Sequence, residues 1–396
     1  MELVSRNIMH KLDNIREQLY LSDDLIAVNA GSWGPLCEAS RKAIADGYRE
    51  EADSRGESIE YMKGIGSGLN RYSNVLSDAR DVLGGFLGCD SSEVAMCDST
   101  TTGMNIILWG YDWKKGDEII AGGYENNAAM VPLAVLARRM GVKVKYADLS
   151  GSFSKNLSEE ISRDTKMVLI SDVNYVTGSR VDLQSVSDVA HDAGVLVIAD
   201  GIQAVGTVPV DVKKLGVDGY AMARHKFMCG PDGAGGLYVN RDVFDVIHPT
   251  FSGVFTDAAH GSGELRPVDS AQRYEVSTRA LPVIQGGVAA VKWLTEEVGL
   301  EYVYDKSEML YRKLWKGLKT TDGVELISGE NQSSLLSFRV KGMASGDVSL
   351  RLRDWNIFTR TVGIIEPAPV RVSLGFWNRK SDVDKIVDAV GEIASS

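Results

Sequence analysis

Lys226 and Asp200 are the residues around which a reaction could be built. Lys226 follows a strand-like run, Val217 to Ala223, and precedes a glycine-rich bend with Gly230, Gly233, Gly235 and Gly236, so its amine is held on a fixed backbone beside a crowded pocket. Such an amine can form an imine with a carbonyl compound. Asp200 and Gly201 close the short apolar run VLVIAD, which suits a buried carboxylate at the carboxyl end of a parallel strand. An imine-forming lysine paired with a strand-end aspartate meets the needs of pyridoxal phosphate chemistry: the aspartate keeps a pyridine nitrogen protonated and the ring becomes an electron sink. A lysine among apolar and glycine residues is otherwise costly, and imine formation removes that cost.

Other polar residues gather where strands and helices are predicted to end. Ser99, Thr100, Thr101 and Thr102 stand where SSEVAMCDSTTTGMNIILWGY passes from strand to helix, and a hydroxyl-rich helix start with free backbone N–H groups is a ready anion site. Ordinary N-capping is the alternative, although one cap needs a single hydroxyl. LIAVNAGSWGPL reads as a strand entering a Gly/Ser/Pro turn, where Asn29 is a candidate substrate contact because small neighbours let a ligand approach the backbone; a plain entry into the next helix fits equally. Asn126, Asn127 and Tyr175 fall at further predicted strand ends, and Arg55, in ADSRGES, in a loop.

These residues need a sheet to position them. After a helix over residues 1 to about 25 and another from Leu69 to Leu87, the strands DEIIAGG, KVKYADL, KMVLISDV and VLVIAD alternate with the helices VPLAVLARRMG, LSEEISRD and DLQSVSDVAHDAG. That rhythm implies an α/β fold with a mostly parallel sheet, helices on both faces and the ligand at the strand carboxyl ends. Beyond GGLYVN, a loop-rich stretch precedes a bridging helix from Leu281 to Val298, and the remaining elements make a small C-terminal α/β sandwich. The expected division is an N-terminal helical segment, 1–25, packing with the small domain; a large cofactor-binding domain, 26–280; and the bridging helix with the small domain, 281–396.

Composition bounds the partners. The chain has 396 residues, enough for two domains, and its net charge of -11 argues against a nucleic-acid-binding surface and for a small-molecule partner. Cys37, Cys89, Cys97 and Cys229 are scattered, with no C-x-x-C and no histidines at ligand spacing, which leaves a metal site without support and fits a reducing cytosol. The first 19 residues are charged and helical in pattern, and no later run reaches the length of a membrane span, so a cytoplasmic protein without membrane association is expected.

The order TTTGMN, YENNA, ADGIQAVG, HKFMCGPDGAGGLYV and VRVSLGFWN resembles the fold-type I pyridoxal phosphate enzymes of aminotransferase class V, a family that includes cysteine desulfurases, carbon–sulfur lyases, isopenicillin N epimerase-like proteins and kynureninase. The resemblance runs from about Val28 to Ile393. It implies that Lys226 forms the imine with the cofactor, that Asp200 pairs with the pyridine nitrogen and that Gln203 hydrogen-bonds the phenolic oxygen. Thr100, Thr101 and His225 match the phosphate cradle. Thr278, in RYEVSTRAL, matches a threonine that reaches the phosphate of the neighbouring subunit, which implies a homodimer with a shared active site. Arg371 matches the arginine that clamps the substrate carboxylate, a bidentate task suited to a guanidinium fork. Taken singly, Arg371 also reads as a surface ion pair and His225 as a satisfied core histidine.

Four departures from the family pattern bear on the reaction. Asn126 stands where a histidine usually covers the pyridine ring, and an amide is a poor acid or base. Ala223 replaces a serine and Arg224 a small residue; Arg224 either brings charge to the phosphate or points into solvent. The segment TVGIIEPAPV, between Arg360 and Arg371, lacks the cysteine that persulfide-transferring desulfurases carry there, which argues against sulfur relay, and Cys229 reads as a packed thiol. Tyr175, in VNYVTG, replaces an asparagine that contacts substrate and cofactor. The expectation is therefore a cytoplasmic, homodimeric pyridoxal 5'-phosphate enzyme acting on a small α-amino acid, a carbon–sulfur β-lyase of the cysteine or cystine type. An aminotransferase or epimerase is the rival, and a degenerate pyridoxal phosphate-binding paralogue the non-enzyme alternative. Should the substrate carry a second carboxylate, Arg55, Arg224 and Arg360 are candidates to meet it.

Overall fold

The computed structural model describes residues 2–56, 65–147, 153–253, 255–257, 266–330 and 333–396. Strands β1 (Ile26–Ala27), β2 (Val94–Cys97), β3 (Glu118–Gly122), β4 (Lys143–Ala147), β5 (Thr165–Ser171), β6 (Leu196–Asp200), β7 (Gly219–Ala223) and β8 (Gly235–Val239) occupy the first two thirds. The last seven form one sheet in the order β2-β8-β7-β6-β5-β3-β4, and only β8 runs against its neighbours. Successive side chains enter opposite cores. Ala95, Ile119, Met167, Ile198 and Ala221 point into one apolar cluster, and Met96, Ile120, Val168, Val197 and Met222 into the other. Because both faces are covered, period-2 geometry produces unbroken apolar runs instead of alternation.

Local signals set the helix ends. Helix Asn127–Met140 begins where the Asn126 Oδ1 accepts the Ala128 N–H at 3.0 Å and stops at Gly141, whose φ of 71° is left-handed. Two predicted elements differ in detail. Helix Glu2–Gln18 ends before residue 25, as Tyr20 turns to a φ of 52°. The bridging helix is α-helical over Leu281–Lys292 and π-helical over Trp293–Val298, where the Thr295 hydroxyl donates back to the carbonyls of Val291 and Lys292 and widens the turn.

Strands β9 (Val324–Leu326), β10 (Leu335–Val340), β11 (Ile357–Phe358), β12 (Arg360–Thr361) and β13 (Val370–Ser373) follow. An antiparallel sheet of order β12-β13-β10-β9 rests on helices Leu300–Lys319 and Lys380–Ala394, with a core of its own that Ile26 and Val28 join. The stretch NIFTRTV, expected as one strand, changes sheets at Thr359: β11 pairs with β1, and β12 with β13. Among the described residues no helix is long and apolar enough to cross a membrane, and no group of three or more His, Cys, Asp or Glu residues could hold a metal ion.

Candidate active site

Parallel strands bring their carboxyl ends to one edge, and the chemistry-bearing residues lie along it. Asp200 ends β6, Ser171 ends the adjacent β5, and Lys226 follows β7. Lys226 is 8% exposed, and burial lowers its ammonium to about 7; the Asp200 carboxylate opposes that shift, while Arg371 and Arg360 reinforce it. Burial pushes the Asp200 carboxyl up, against the pull of the Ile202 N–H, which donates to Oδ1 at 3.0 Å, and of Lys226. Behind Asp200 the Tyr220 ring lies against Gly201, and its hydroxyl donates to Asp172 Oδ2 at 2.8 Å. Gly34 approaches the other side: a Cβ there would stand 1.8 Å from the Lys226 carbonyl oxygen.

Several buried polar atoms here have no hydrogen-bond partner among the described residues: Asp200 Oδ2, Gln203 Oε1 and Thr100 Oγ1. Each would cost stability unless a ligand met it. Pyridoxal phosphate fits this set, since it offers a ring N–H to Asp200, an aldehyde to Lys226 and a phosphate to the start of helix Thr100–Gly110. Ser99 caps that helix, accepting the Thr102 N–H at 3.2 Å, so capping and a spare hydroxyl on Thr100 coexist. Thr101 does not join Thr100. One residue on, a helix turns about 100°, and Thr101 is exposed in a groove with Asn105, Trp109 and the exposed Asn127. His225 is half-buried, 3.8 Å from Asp232, and burial and Lys226 lower its pKa. Gln203 donates one amide N–H to the Gly31 carbonyl at 3.0 Å, across 172 residues of sequence.

At the far end, β13 carries Arg371, 2% exposed, so it is no surface ion pair. Its Nη1 donates to the Tyr175 carbonyl at 2.9 Å and its Nη2 to Ser32 Oγ at 3.2 Å; Arg360 Nη1 reaches the same oxygen at 2.8 Å. Ser32 in turn donates to Asn29 Oδ1 at 2.8 Å. Asn29 therefore supports Ser32, a residue that sequence reasoning missed within GSWG. Arg360 and Arg371 are cross-strand partners, and neither has an acidic partner among the described residues. Like charges directly opposite repel, so the pair is poised for an anion.

The other expectations divide. Asn126 is half-buried, its oxygen spent on the helix cap. Tyr175 is half-buried on a turn that Asn174 fastens by accepting the Val176 and Thr177 N–H groups, both at 3.0 Å. Arg224 follows neither expectation: it is 1% exposed, packed beside Gly287 and Gly230, with Nη2 3.6 Å from Met96 Sδ. Arg55 stands in the last turn of helix Glu38–Gly56, not in a loop, and its side chain lies outside the described residues. Thr278 is exposed, lining a pocket of about 430 Å³ with Asp98, Thr102 and Asp232. Cys229 is fully buried, its thiol pushed up by burial. Glu125, another residue the sequence did not single out, is fully buried and accepts both the Ser171 N–H and the Ser171 hydroxyl.

Comparison with known proteins bears on the family and the fold. The chain is 29% identical over 361 residues to a cysteine desulfurase of Haloferax volcanii, covering 84% of each chain. Its fold matches that of the cystine C–S lyase C-DES in complex with the reaction product cysteine persulfide, with a TM-score of 0.86, 25% identity and coverage of 93% of this chain and 98% of that one. Another C-DES structure, also 25% identical at a TM-score of 0.86 and covering 95% and 99% of the two chains, has glycine covalently linked to its PLP cofactor. Residues 57–386 match the family model described as aminotransferase class-V, and the chain belongs to that family of pyridoxal phosphate enzymes.

Proposed function

We propose that this protein is a carbon–sulfur β-lyase for cysteine or cystine. The observation that carries the reading is the pair of guanidiniums, Arg371 and Arg360, that meet on Ser32 near a buried lysine whose ammonium burial and both arginines lower. Bound pyridoxal phosphate supplies an electron sink for a carbanion at the substrate's Cα. Lys226 would hold the cofactor through its amine and, when that amine is free, would take the Cα proton. Asp200 would hold the pyridine N–H, Asn126 would cover the ring, and the helix start at Thr100, together with His225, would receive the phosphate. Arg371 clamps the α-carboxylate. Of the three cations considered for a second carboxylate, Arg360 is the one that shares Ser32 with Arg371, which favours cystine. The names of the relatives support carbon–sulfur cleavage, and the segment 362–369 offers no thiol to relay sulfur.

The same reading includes a cytoplasmic homodimer, with Thr278 of the partner subunit completing the phosphate site, and a division at 1–25, 26–280 and 281–396. Support for the first is the exposure of Thr278 and the four free cysteines; for the second, the separate C-terminal core. An aminotransferase is the second reading, favoured by Asn126, because a proton shift that Lys226 performs alone needs no histidine. Purified protein should be yellow and should release pyruvate and a sulfane or sulfide product from cystine or cysteine without any keto acid. Lys226→Ala should lose the turnover. If one amino acid instead bleaches the colour and a keto acid restores it, with no sulfur released, the lyase reading fails.

A further inference from the structure

We propose that Tyr175 is the acid that protonates the departing sulfur, an inference that rests on the β-lyase reading. A thiolate expelled from Cβ needs a proton donor, and the residue that would commonly face the ring as a histidine is Asn126, whose oxygen is fixed by the Ala128 N–H and whose amide is no acid. Tyr175 is placed to serve. It follows β5 at the same sheet edge as Asp200, and the Arg371 guanidinium that would hold the substrate carboxylate donates to its carbonyl. Its hydroxyl makes no hydrogen bond among the described residues. The loop beneath it is clamped from two sides: Asn174 donates to the Tyr124 carbonyl at 3.0 Å, and Ser333 Oγ, just ahead of β10, donates to the Gly178 carbonyl at 3.0 Å. Gly178, at a φ of 72°, leaves room for the Leu335 carbonyl, which a Cβ would meet at 2.0 Å. The backbone that carries the phenol is thus held firmly, and a hydroxyl without a hydrogen bond among the described residues is available to a ligand. Burial raises the phenol, while Arg371 and Arg360 draw it back down and Glu125 raises it, so it stays protonated at neutral pH within a cationic field that stabilises its anion.

The step balances. Lys226 takes the Cα proton, the Cα electron pair forms the Cα–Cβ double bond, and the Cβ–S bond breaks with its pair passing to sulfur. Sulfur takes the Tyr175 proton and leaves as thiol, or as persulfide when the substrate is cystine. The proton that Lys226 took passes through water to the tyrosinate, which restores both groups, and the enamine product takes up water to give pyruvate and ammonia.

The test compares leaving groups in the holoenzyme. S-methylcysteine expels a basic thiolate, whereas β-chloroalanine expels chloride, which needs no proton. Tyr175→Phe should lower kcat/KM for S-methylcysteine by about 100-fold and leave β-chloroalanine within about 3-fold of wild type. Glycine has no leaving group, and its dissociation constant, read from the shift of the cofactor band, should stay within about 2-fold of wild type because clamping of the carboxylate is intact. Equal losses on the two substrates, or no loss on either, would overturn the assignment of Tyr175 while leaving the lyase reading standing. A wild type that eliminates from neither substrate would instead remove the lyase reading, and this inference with it.

Discussion

Burial sets the protonation of individual groups at this site, and Glu125 gives the clearest consequence. The carboxyl is fully buried beside Ser171, and burial drives it up to about 7, Asp200 adding to the rise while the two Ser171 hydrogen bonds oppose it. Its unfolded value is 4.5. Between 4.5 and 7 the folded protein therefore holds a proton that the unfolded chain has lost, so this contribution to stability is fully present below 4.5 and disappears as the pH rises through 7. Glu125→Gln keeps an acceptor for the Ser171 N–H and turns the other contact into N–H donation to the serine hydroxyl, without any charge to bury. Relative to wild type, the variant should gain about 3 kcal/mol on passing from pH 4.5 to above 7. Urea denaturation at several pH values measures this, and a difference independent of pH would show that Glu125 stays ionised throughout. Lys226 moves in the opposite sense: its lowered folded value makes the apoprotein more stable as pH rises from about 7 toward 10.5.

Strands and helices account for which residues meet, and Arg224 is the element-scale exception. It leaves β7 between two residues of the expected site, yet it lies between β2 and helix Leu281–Lys292, where Gly287 makes room: a Cβ there would be 2.6 Å from Nη1. Its Nε and Nη1 have no hydrogen-bond partner among the described residues, and burial lowers the guanidinium to about 10. A buried charge without a counter-ion is an expensive neighbour for Met96 and Ala290, so Arg224→Met, similar in length and uncharged, should stabilise the fold by about 1–4 kcal/mol. A fall in the denaturation midpoint would mean that the guanidinium has found an anionic partner. Arg224 also marks the limit of what could be read from sequence. Asp200 and Thr100 were legible because one closes a strand and the other opens a helix, and Lys226 because it follows a strand into a glycine-rich bend; the parallel sheet carries such positions to one edge. The direction of Arg224 and the contact between Gln203 and Gly31 were not, since each depends on packing between segments far apart in the chain; the outward turn of Thr101 follows from helix geometry only once the helix start is fixed at Thr100. Ser32 escaped notice for the same reason: its two guanidinium partners lie 328 and 339 residues away.

At the scale of the whole molecule the site lies where two sheets meet. The large sheet presents Lys226 and Asp200, and the C-terminal sheet brings Arg360 and Arg371 against Ser32 and the Tyr175 carbonyl. The proposed dimer adds a third contributor. Thr278 is exposed, in a pocket with Asp98, Thr102 and Asp232, where a neighbouring chain can reach it. If it reaches the phosphate of the partner subunit, a carboxylate in its place would repel that phosphate, and Thr278→Asp should weaken cofactor binding without unfolding a chain that leaves position 278 exposed. Subunit mixing separates this from a local effect. When Lys226→Ala chains and Thr278→Asp chains carry different affinity tags and are expressed together, each doubly tagged dimer contains one site with both defects and one with neither. Such dimers should show about half the wild-type activity, although each parent dimer is nearly inactive. If Thr278 acted within its own chain, every site in the mixed dimer would carry one defect and activity would stay at the level of the parents. The cofactor content of the mixed dimer, read from its absorbance, should follow the same arithmetic, because the intact site is the one built from an unaltered Lys226 and an unaltered Thr278.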